Sequence, residues 1–381
     1  MKDFTLKTID NTEILSELES IGFDKSYSNI AQNKYKYLNI KIYDLSIPQA
    51  NILKQTALSY GSDCAIHKDV LINNIDKTDC ILTGSISQLK KISKSLENQQ
   101  FSLNILSKRI EEILLQQTEK HKTKLAGILN VTTNSFSDGG KYLDKEKATR
   151  HLVEMITDGA DIIDIGAEST KPFSEPVDAK TQLERILPIL DFVKEKDIKT
   201  PISIDTRRAE VAQECIKNGA TIINDVSGFD YDKKMLEVIK NSDVKIILQH
   251  SQGTPENMQV NPTYKNVVDE IFKNLNSKVD YATSNGIDKA RIIIDVGIGF
   301  GKRREDNFEL IKRMSEFKSI GCEIMAGISR KSFLALEEEL EKDIYTTALS
   351  TMLIEQKIDY LRVHNVKMHK KLLELMENFG E

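Results

Sequence analysis

The chain of 381 residues is long enough for two domains, or for one large barrel with an appendage. With 40% hydrophobic and 29% charged residues it has the balance of an ordinary globular protein, and a formal net charge of -5 argues against nucleic-acid or membrane-surface binding. Cys64, Cys80, Cys215 and Cys322 lie far apart with no CxxC pair, which argues against a zinc site or a disulfide framework and suits a reducing cytoplasm.

The first residues, MKDFTLKTIDNTEILSELES, lack an apolar signal core, and no stretch approaches about 18 uninterrupted apolar residues. A cytoplasmic protein with no membrane partner is therefore expected. Residues 1–120 contain only Gly22, Gly61, Gly84 and Pro48 as backbone punctuation. YLNIKI (37–42) alternates strictly, with Leu38, Ile40 and Ile42 on one face and Tyr37, Asn39 and Lys41 on the other, as a half-buried strand does. DCAIHKDVLI (63–72) and DCILTGS (79–85) are further strand candidates, with helices expected near 48–59 and 86–98. SKRIEEILLQQTEKHKTK (107–124) reads as a charged helix running into a polar linker and sets a boundary near residue 120. Residues 1–120 thus read as a small N-terminal α/β domain without a chemical motif, a structural or oligomerising appendage.

From residue 121 to 381 a regular alternation takes over. Apolar runs recur at LAGILNV (125–131), DIIDIG (161–166), PISID (201–205), TIINDV (221–226), VKIILQ (244–249), RIIIDVG (291–297), EIMAGIS (323–329) and YLRVH (360–364). Helix-like stretches separate them; in one, Leu183, Ile186, Leu187, Leu190 and Val193 share a helical face. Short Ile- and Val-rich runs, apolar on both faces, suit parallel strands covered by helices. Eight such units predict a (β/α)8 TIM barrel, with a doubly wound open sheet as the alternative.

A barrel of this kind carries its site at the C-terminal ends of the strands. Those ends hold Asn130, then GAESTKP (166–172), Asp205-Thr206-Arg207, Asn224-Asp225, Asp295 with GIGFGK (297–302), SRKS (329–332) and Arg362-Val363-His364-Asn365. Asp205, Asn224 and Asp295 are polar residues inside apolar runs, and buried polar groups must find partners. Aimed into one mouth, they suit a flat heterocycle rich in N–H donors. Arg330, Lys331, Arg362 and His364 supply charge and donors for an anionic phosphate, and Asn130 an oxygen for that anion's orientation or for a hard metal ion.

Taken singly, each group has a plainer reading. Asp205 would serve equally as an N-cap, Lys302 and Lys331 as solvated lysines, His250 and His364 as packing histidines. GIGFGK lacks both the Rossmann and the Walker endings, and no HExxH, GxSxG or CxxC occurs. The weight rests on convergence at one end of one barrel.

The same motifs resemble one known family, dihydropteroate synthase, the folate-pathway enzyme that sulfonamides target. The matching stretches are GILNVTTNSFSDGG (127–140), DIIDIGAESTKP (161–172), PISIDTRR (201–208), IINDVSG (222–228), LQHSQGTPENMQ (248–259), IIIDVGIGFGK (292–302), GISRKSF (327–333) and LRVHNV (361–366). The likeness covers residues 125–381 and does not extend to residues 1–120. It implies joining of 6-hydroxymethyl-7,8-dihydropterin diphosphate to p-aminobenzoate with Mg2+, giving 7,8-dihydropteroate and pyrophosphate. By the same resemblance Asp205, Asn224, Asp295 and Lys331 hold the pterin, with Asp205, Asp295 and Lys331 catalytic. Asn130, Arg362 and His364 hold the diphosphate, Asn130 also touching the metal. Thr170, Pro172, Phe136, Phe300 and Ser332 line the p-aminobenzoate pocket, and a homodimer through the late barrel helices is implied.

Departures from the family pattern are Thr133 and Asn134 for Pro and Asp, Ala167 for Gly, Lys171 for Arg, Gln249 and Ser251 for Met, and Asn365 for Asp. Alternatives are a pterin-binding methyltransferase, expected to lack the SFSDGG loop and the SRKS pocket, a catalytically silent pterin binder, and an interaction protein working through its N-terminal domain.

Overall fold

The computed structural model describes residues 5–9, 14–72, 74–116, 121–131, 141–168, 176–253, 258 and 260–379. The chain divides into two compact units, Met1–Lys120 and His121–Glu381. No helix of the described residues is long and apolar enough to cross a membrane.

In the first unit the order is α1 (Ile14–Ser20), α2 (Lys25–Ala31), β1 (Tyr37–Ser46), α3 (Ile47–Ser59), β2 (Asp63–Ile66), β3 (Lys77–Ser85), α4 (Ile86–Leu96) and α5 (Leu103–Gln116). The strands form an antiparallel sheet in the order β1-β3-β2. Strand β1 outruns the predicted 37–42. A bulge between Ile42 and Leu45, with Asp44 at φ 57°, turns Leu45 back to the buried face. The strand expected over 63–72 ends at Ile66, because His67 accepts the Asp69 N–H and starts a helical turn over Lys68–Val70. Strands β1 and β3 enter their helices through one device: the Gln49 and Gln88 amide oxygens accept the backbone N–H of Ser46 and Ser85, at 2.8 and 2.9 Å. Leu53, Leu82, Leu89, Ile92 and Leu103 fill a core of this unit's own. Inside it the Ser93 and Ser107 hydroxyls each donate to the other's carbonyl and so join α4 to α5.

The second unit runs β4 (Lys124–Asn130), α6 (Lys141–Thr157), β5 (Ile162–Gly166), α7 (Ala179–Glu195), β6 (Ile202–Asp205), α8 (Ala209–Lys217), β7 (Ile222–Asp225) and α9 (Met235–Lys240). It continues through β8 (Lys245–Gln249), α10 (Val267–Ser284), β9 (Ile292–Asp295), α11 (Arg304–Lys312), β10 (Glu323–Ala326), α12 (Glu339–Glu355), β11 (Tyr360–Val363) and α13 (Val366–Phe379). Every apolar run named above becomes a strand, and the eight close into a parallel barrel in chain order, β11 pairing with β4.

Alternation along each strand divides the apolar residues between two cores. Ile163, Ile165, Ile204, Ile246 and Leu248 face the helices, in one core with Ile186 and Leu190 of α7. Ala126, Ile162, Ile222, Ile247, Ile293, Met325 and Tyr360 form a separate cluster within the barrel. Below that layer the Lys245 ammonium pairs with Glu323, whose other oxygen accepts the Tyr360 hydroxyl at 3.0 Å. The interior is thus plugged at one end and in the middle, and only its C-terminal end is left for a site.

Candidate active site

Above the apolar layer, the next inward positions carry polar side chains. The register sets Gly166 beside Asp205, Asp205 beside Asn224, and Gln249 beside Asp295. Asp205, Asn224, Asp295, Phe300, Lys331 and Arg362 line one small cavity, and Gln249 lines it with them. Two glycines lie beside these side chains, and Gly327 lines the cavity itself. A Cβ on Gly166 would stand 3.5 Å from the Asp205 side chain, and one on Gly327 would lie 3.8 Å from Asp295 and Arg362.

Arg362 crosses the cavity floor. Its Nε donates to Asp164 Oδ2 at 2.6 Å and its Nη2 to Asp205 Oδ2 at 2.9 Å. The Asn224 amide donates to the same Asp164 oxygen at 3.2 Å. A charged group sharing buried carboxylates needs such multiple partners to offset its desolvation. Burial pushes the Asp205 carboxyl up to about 7, the Arg362 guanidinium opposing it and the Asp164 and Glu168 charges adding to it. Asp295 is also raised by burial, although its Oδ1 accepts the Gly297 N–H at 2.7 Å. Burial, then the Arg362 charge, lowers the Lys331 ammonium to about 8; it lies 4.1 Å from the centre of the Phe300 ring. Asp205 and Lys331 are thus both brought close to pH 7, so a ligand's own donors and acceptors can decide which of their forms prevails.

The rim cations sort differently from their place in sequence. Arg330 turns away, its Nε and Nη2 holding both Asp343 oxygens at 2.7 and 2.9 Å and its Nη1 reaching Glu339. Burial first, with the Arg330 and Arg362 charges beside it, pushes His364 down to about 3, so its imidazole is neutral. Its Nδ1 lies 2.9 Å from Ser329 Oγ, which also accepts the His364 backbone N–H and so fixes the ring's orientation. Lys302 is not a solvated surface lysine, and Lys331 is only partly exposed, lining the cavity. Lys302 is buried, its ammonium within 3.0 Å of His250 Nδ1 and 2.9 Å of the Phe300 carbonyl. His250 is a packing histidine, and burial pushes it down to about 2.

GIGFGK is a close-packed turn, not a phosphate loop. A Cβ on Gly297 would stand 1.9 Å from the His250 carbonyl oxygen, at a φ of +68°. Asn130 ends β4 exposed, with its Oδ1 over Gly166. Ser332 is exposed and opens the turn after Lys331. Phe136, Thr170 and Pro172, with Thr133, Asn134 and Lys171, lie outside the described residues.

Two of the departures have local accounts. Asn365 caps α13 by accepting the Met368 N–H at 3.0 Å, while its amide donates to Asp343 at 3.0 Å. An aspartate there would set two carboxylates together. Gln249 puts an amide on the cavity wall. The sequence reading overlooked Asp164, completely buried at the centre of the floor. The sign was there: an ionisable residue in the middle of the apolar run DIIDIG. It also overlooked the buried Glu168–Arg207 pair at 2.9 Å, which ties the loop after β5 to the end of β6.

Comparison with known proteins agrees with this geometry. Residues 126–364 match the family model of pterin-binding enzymes. A dihydropteroate synthase of Clostridium beijerinckii is 38% identical over 262 residues, 67% of this chain and 94% of its own. A Helicobacter pylori protein named bifunctional dihydropteroate synthase/dihydropteroate reductase is 30% identical over 381 residues, 99% of each chain. Among solved structures, dihydropteroate synthase from Anaplasma phagocytophilum with bound 6-hydroxymethylpterin-monophosphate is 38% identical, covering 68% of this chain and 99% of that one with a TM-score of 0.63.

Proposed function

The chain belongs to the family of pterin-binding enzymes, and from that premise we infer that its barrel is a dihydropteroate synthase, a transferase that joins 6-hydroxymethyl-7,8-dihydropterin diphosphate to p-aminobenzoate. One observation carries the reading: two carboxylates, an amide, a lysine and an arginine on five different strands and loops converge on one cavity at the barrel's C-terminal mouth.

Asp205 and Asp295 accept ring N–H groups of the pterin, and Asn224 and Lys331 meet its remaining polar edge. Arg362, oriented by Asp164 and Asp205, keeps Nη1 for the diphosphate, and the neutral His364 offers a ring nitrogen beside it. Among the described residues no group of three or more His, Cys, Asp or Glu is placed to hold a metal ion. Asn130, exposed at the end of β4, would offer its amide oxygen to Mg2+, which would take its remaining oxygens from substrate and water. Bound there, the ion would neutralise charge on the departing diphosphate.

The reaction breaks the bond from the pterin methylene to the diphosphate oxygen and forms a bond to the arylamine nitrogen, which loses a proton. As the leaving group departs, positive charge develops on the methylene and its conjugated ring, and Asp205 and Asp295 stabilise it electrostatically. The arylamine is neutral at pH 7 and needs no strong base, in keeping with a mouth whose histidines are held neutral. Phe300 and Ser332, with Phe136, Thr170 and Pro172, would receive p-aminobenzoate, the loops after β4 and β5 excluding water.

The test is direct. Full-length protein with pterin diphosphate, p-aminobenzoate and Mg2+ should release pyrophosphate and form dihydropteroate, with turnover at least about tenfold lower in Asp205→Asn and in Lys331→Ala. Tight pterin binding without product would make the chain a silent binder, and transfer of a methyl group instead would make it a methyltransferase.

A cytoplasmic homodimer completes this reading. Ile344, Tyr345 and Met352 of α12 and Phe308 of α11 are exposed apolar side chains on the late barrel helices. Light scattering at twice the chain mass supports it, and a monomer rejects it.

A second reading rests on the end-to-end match to the Helicobacter pylori protein. The full chain would then also reduce dihydropteroate, taking hydride from a reduced nicotinamide or flavin, and residues 1–120 would be needed for that step. Incubation with dihydropteroate, NADPH and flavin should give the tetrahydro product; its absence leaves the N-terminal unit an appendage and the synthase reading intact.

A further inference from the structure

Among the described residues three buried side-chain atoms lack a hydrogen-bond partner: Asp164 Oδ1, Ser203 Oγ and Gln249 Nε2. Asp164 and Ser203 are register neighbours within the barrel, and neither lines the cavity. Gln249 does line it, at the end of β8 and level with Asp295. An amide nitrogen shut away from water without an acceptor lowers stability, and such a group persists in native structures where something other than the fold makes use of it. The other neutral amide on this floor, Asn224, already gives an N–H to Asp164.

We propose that Gln249 is a further substrate-recognition residue, whose amide N–H donates to a ring acceptor, a carbonyl oxygen or ring nitrogen, next to the N–H taken by Asp295. A donor and an acceptor side by side read one edge of a heterocycle, and a carbon isostere lacking the acceptor leaves the amide unpaired again. The proposal rests on the synthase reading, since it assigns the pterin to this cavity.

Gln249→Met keeps length and approximate volume while deleting the donor. Removal of an unpaired buried amide should raise the melting temperature of the unliganded protein. Loss of its bond to substrate should weaken binding of 6-hydroxymethyl-7,8-dihydropterin diphosphate about tenfold by calorimetry, within what a buried neutral hydrogen bond contributes. KM for the pterin should rise alike, with kcat and the KM for p-aminobenzoate within about twofold of wild type. Gln249→Glu, which sets a second carboxylate beside Asp295, should bind more weakly still. Unchanged affinity in either variant overturns the proposal. A lower melting temperature or failure to fold in Gln249→Met overturns it too, because the amide would then be a structural tie. Wild-type protein that does not bind the pterin diphosphate sinks the synthase reading and this proposal together; wild-type binding with an unaffected Gln249→Met sinks this proposal alone.

Discussion

Replacing Arg362 with Met tests the electrostatics of the cavity floor most severely. The substitution keeps the apolar stem and removes a guanidinium that holds Asp164 at 2.6 Å and Asp205 at 2.9 Å. Both acceptors are shut away from water, Asp164 completely and Asp205 with 9% of its side chain exposed, so solvent cannot take the guanidinium's place. Breaking a buried pair by removing one partner costs about 3–5 kcal/mol, and that is the loss expected at pH 8. The loss should depend on pH. Asp205, already pushed up to about 7, would rise further without the cation that opposes its burial. A carboxyl raised above its unfolded value of about 3.9 contributes stability that is complete below that value and is lost as pH climbs through the folded one. The variant should therefore recover as pH falls from 8 to 5.5, by up to about 1.4 kcal/mol per pH unit for one proton. Urea unfolding followed by circular dichroism at several pH values measures this. A loss below about 1 kcal/mol, or one independent of pH, would refute the buried-charge account.

Three further outcomes follow from the same geometry. On the proposed role of Asp205, its ionised carboxylate accepts ring N–H groups more strongly than the acid does, so affinity for the pterin diphosphate should fall as pH drops below about 7. Asp205→Asn should flatten that profile in calorimetric titrations; an unchanged pH dependence would remove Asp205 from the contact. Gly297→Ala should cost several kcal/mol in urea unfolding, because its methyl meets the His250 carbonyl, whereas Gly219→Ala, with open space and only a strained φ of +102°, should cost about 1 kcal/mol. Equal losses would dismiss the close approach. A chain starting at His121 should keep its fold and its pyrophosphate release, since the barrel has its own two cores; insolubility or lost turnover would show that residues 1–120 complete it.

Much of the molecule was legible because parallel barrel strands are buried on both sides. Ile- and Val-rich runs such as RIIID and KIILQ have no competing polar face, so their positions and order could be read directly. Asp205, Asn224 and Asp295 stood out for the same reason, as polar interruptions of apolar runs. In the N-terminal unit the signals were more local. The alternation of YLNIKI was visible, but the bulge that extends β1 to Ser46 depends on Asp44 adopting a positive φ, and helices α1 and α2 passed without notice.

Sequence by itself determined the number of strands, their order and the chemical types gathered at their ends, because burial and hydrogen-bonding demands act on each residue wherever the chain goes. It could not say which cations face inward. Arg330 and Lys331 are neighbours, yet one is clamped outward by Asp343 and the other stands over Phe300 in the cavity. Nor could it show that Asp164, Asp205 and Arg362, up to 198 positions apart, share one ion cluster, or that Gln249 stands level with Asp295. Those facts depend on strand register and on closure of β11 against β4, which place distant residues in one layer, and only the tertiary structure fixes them.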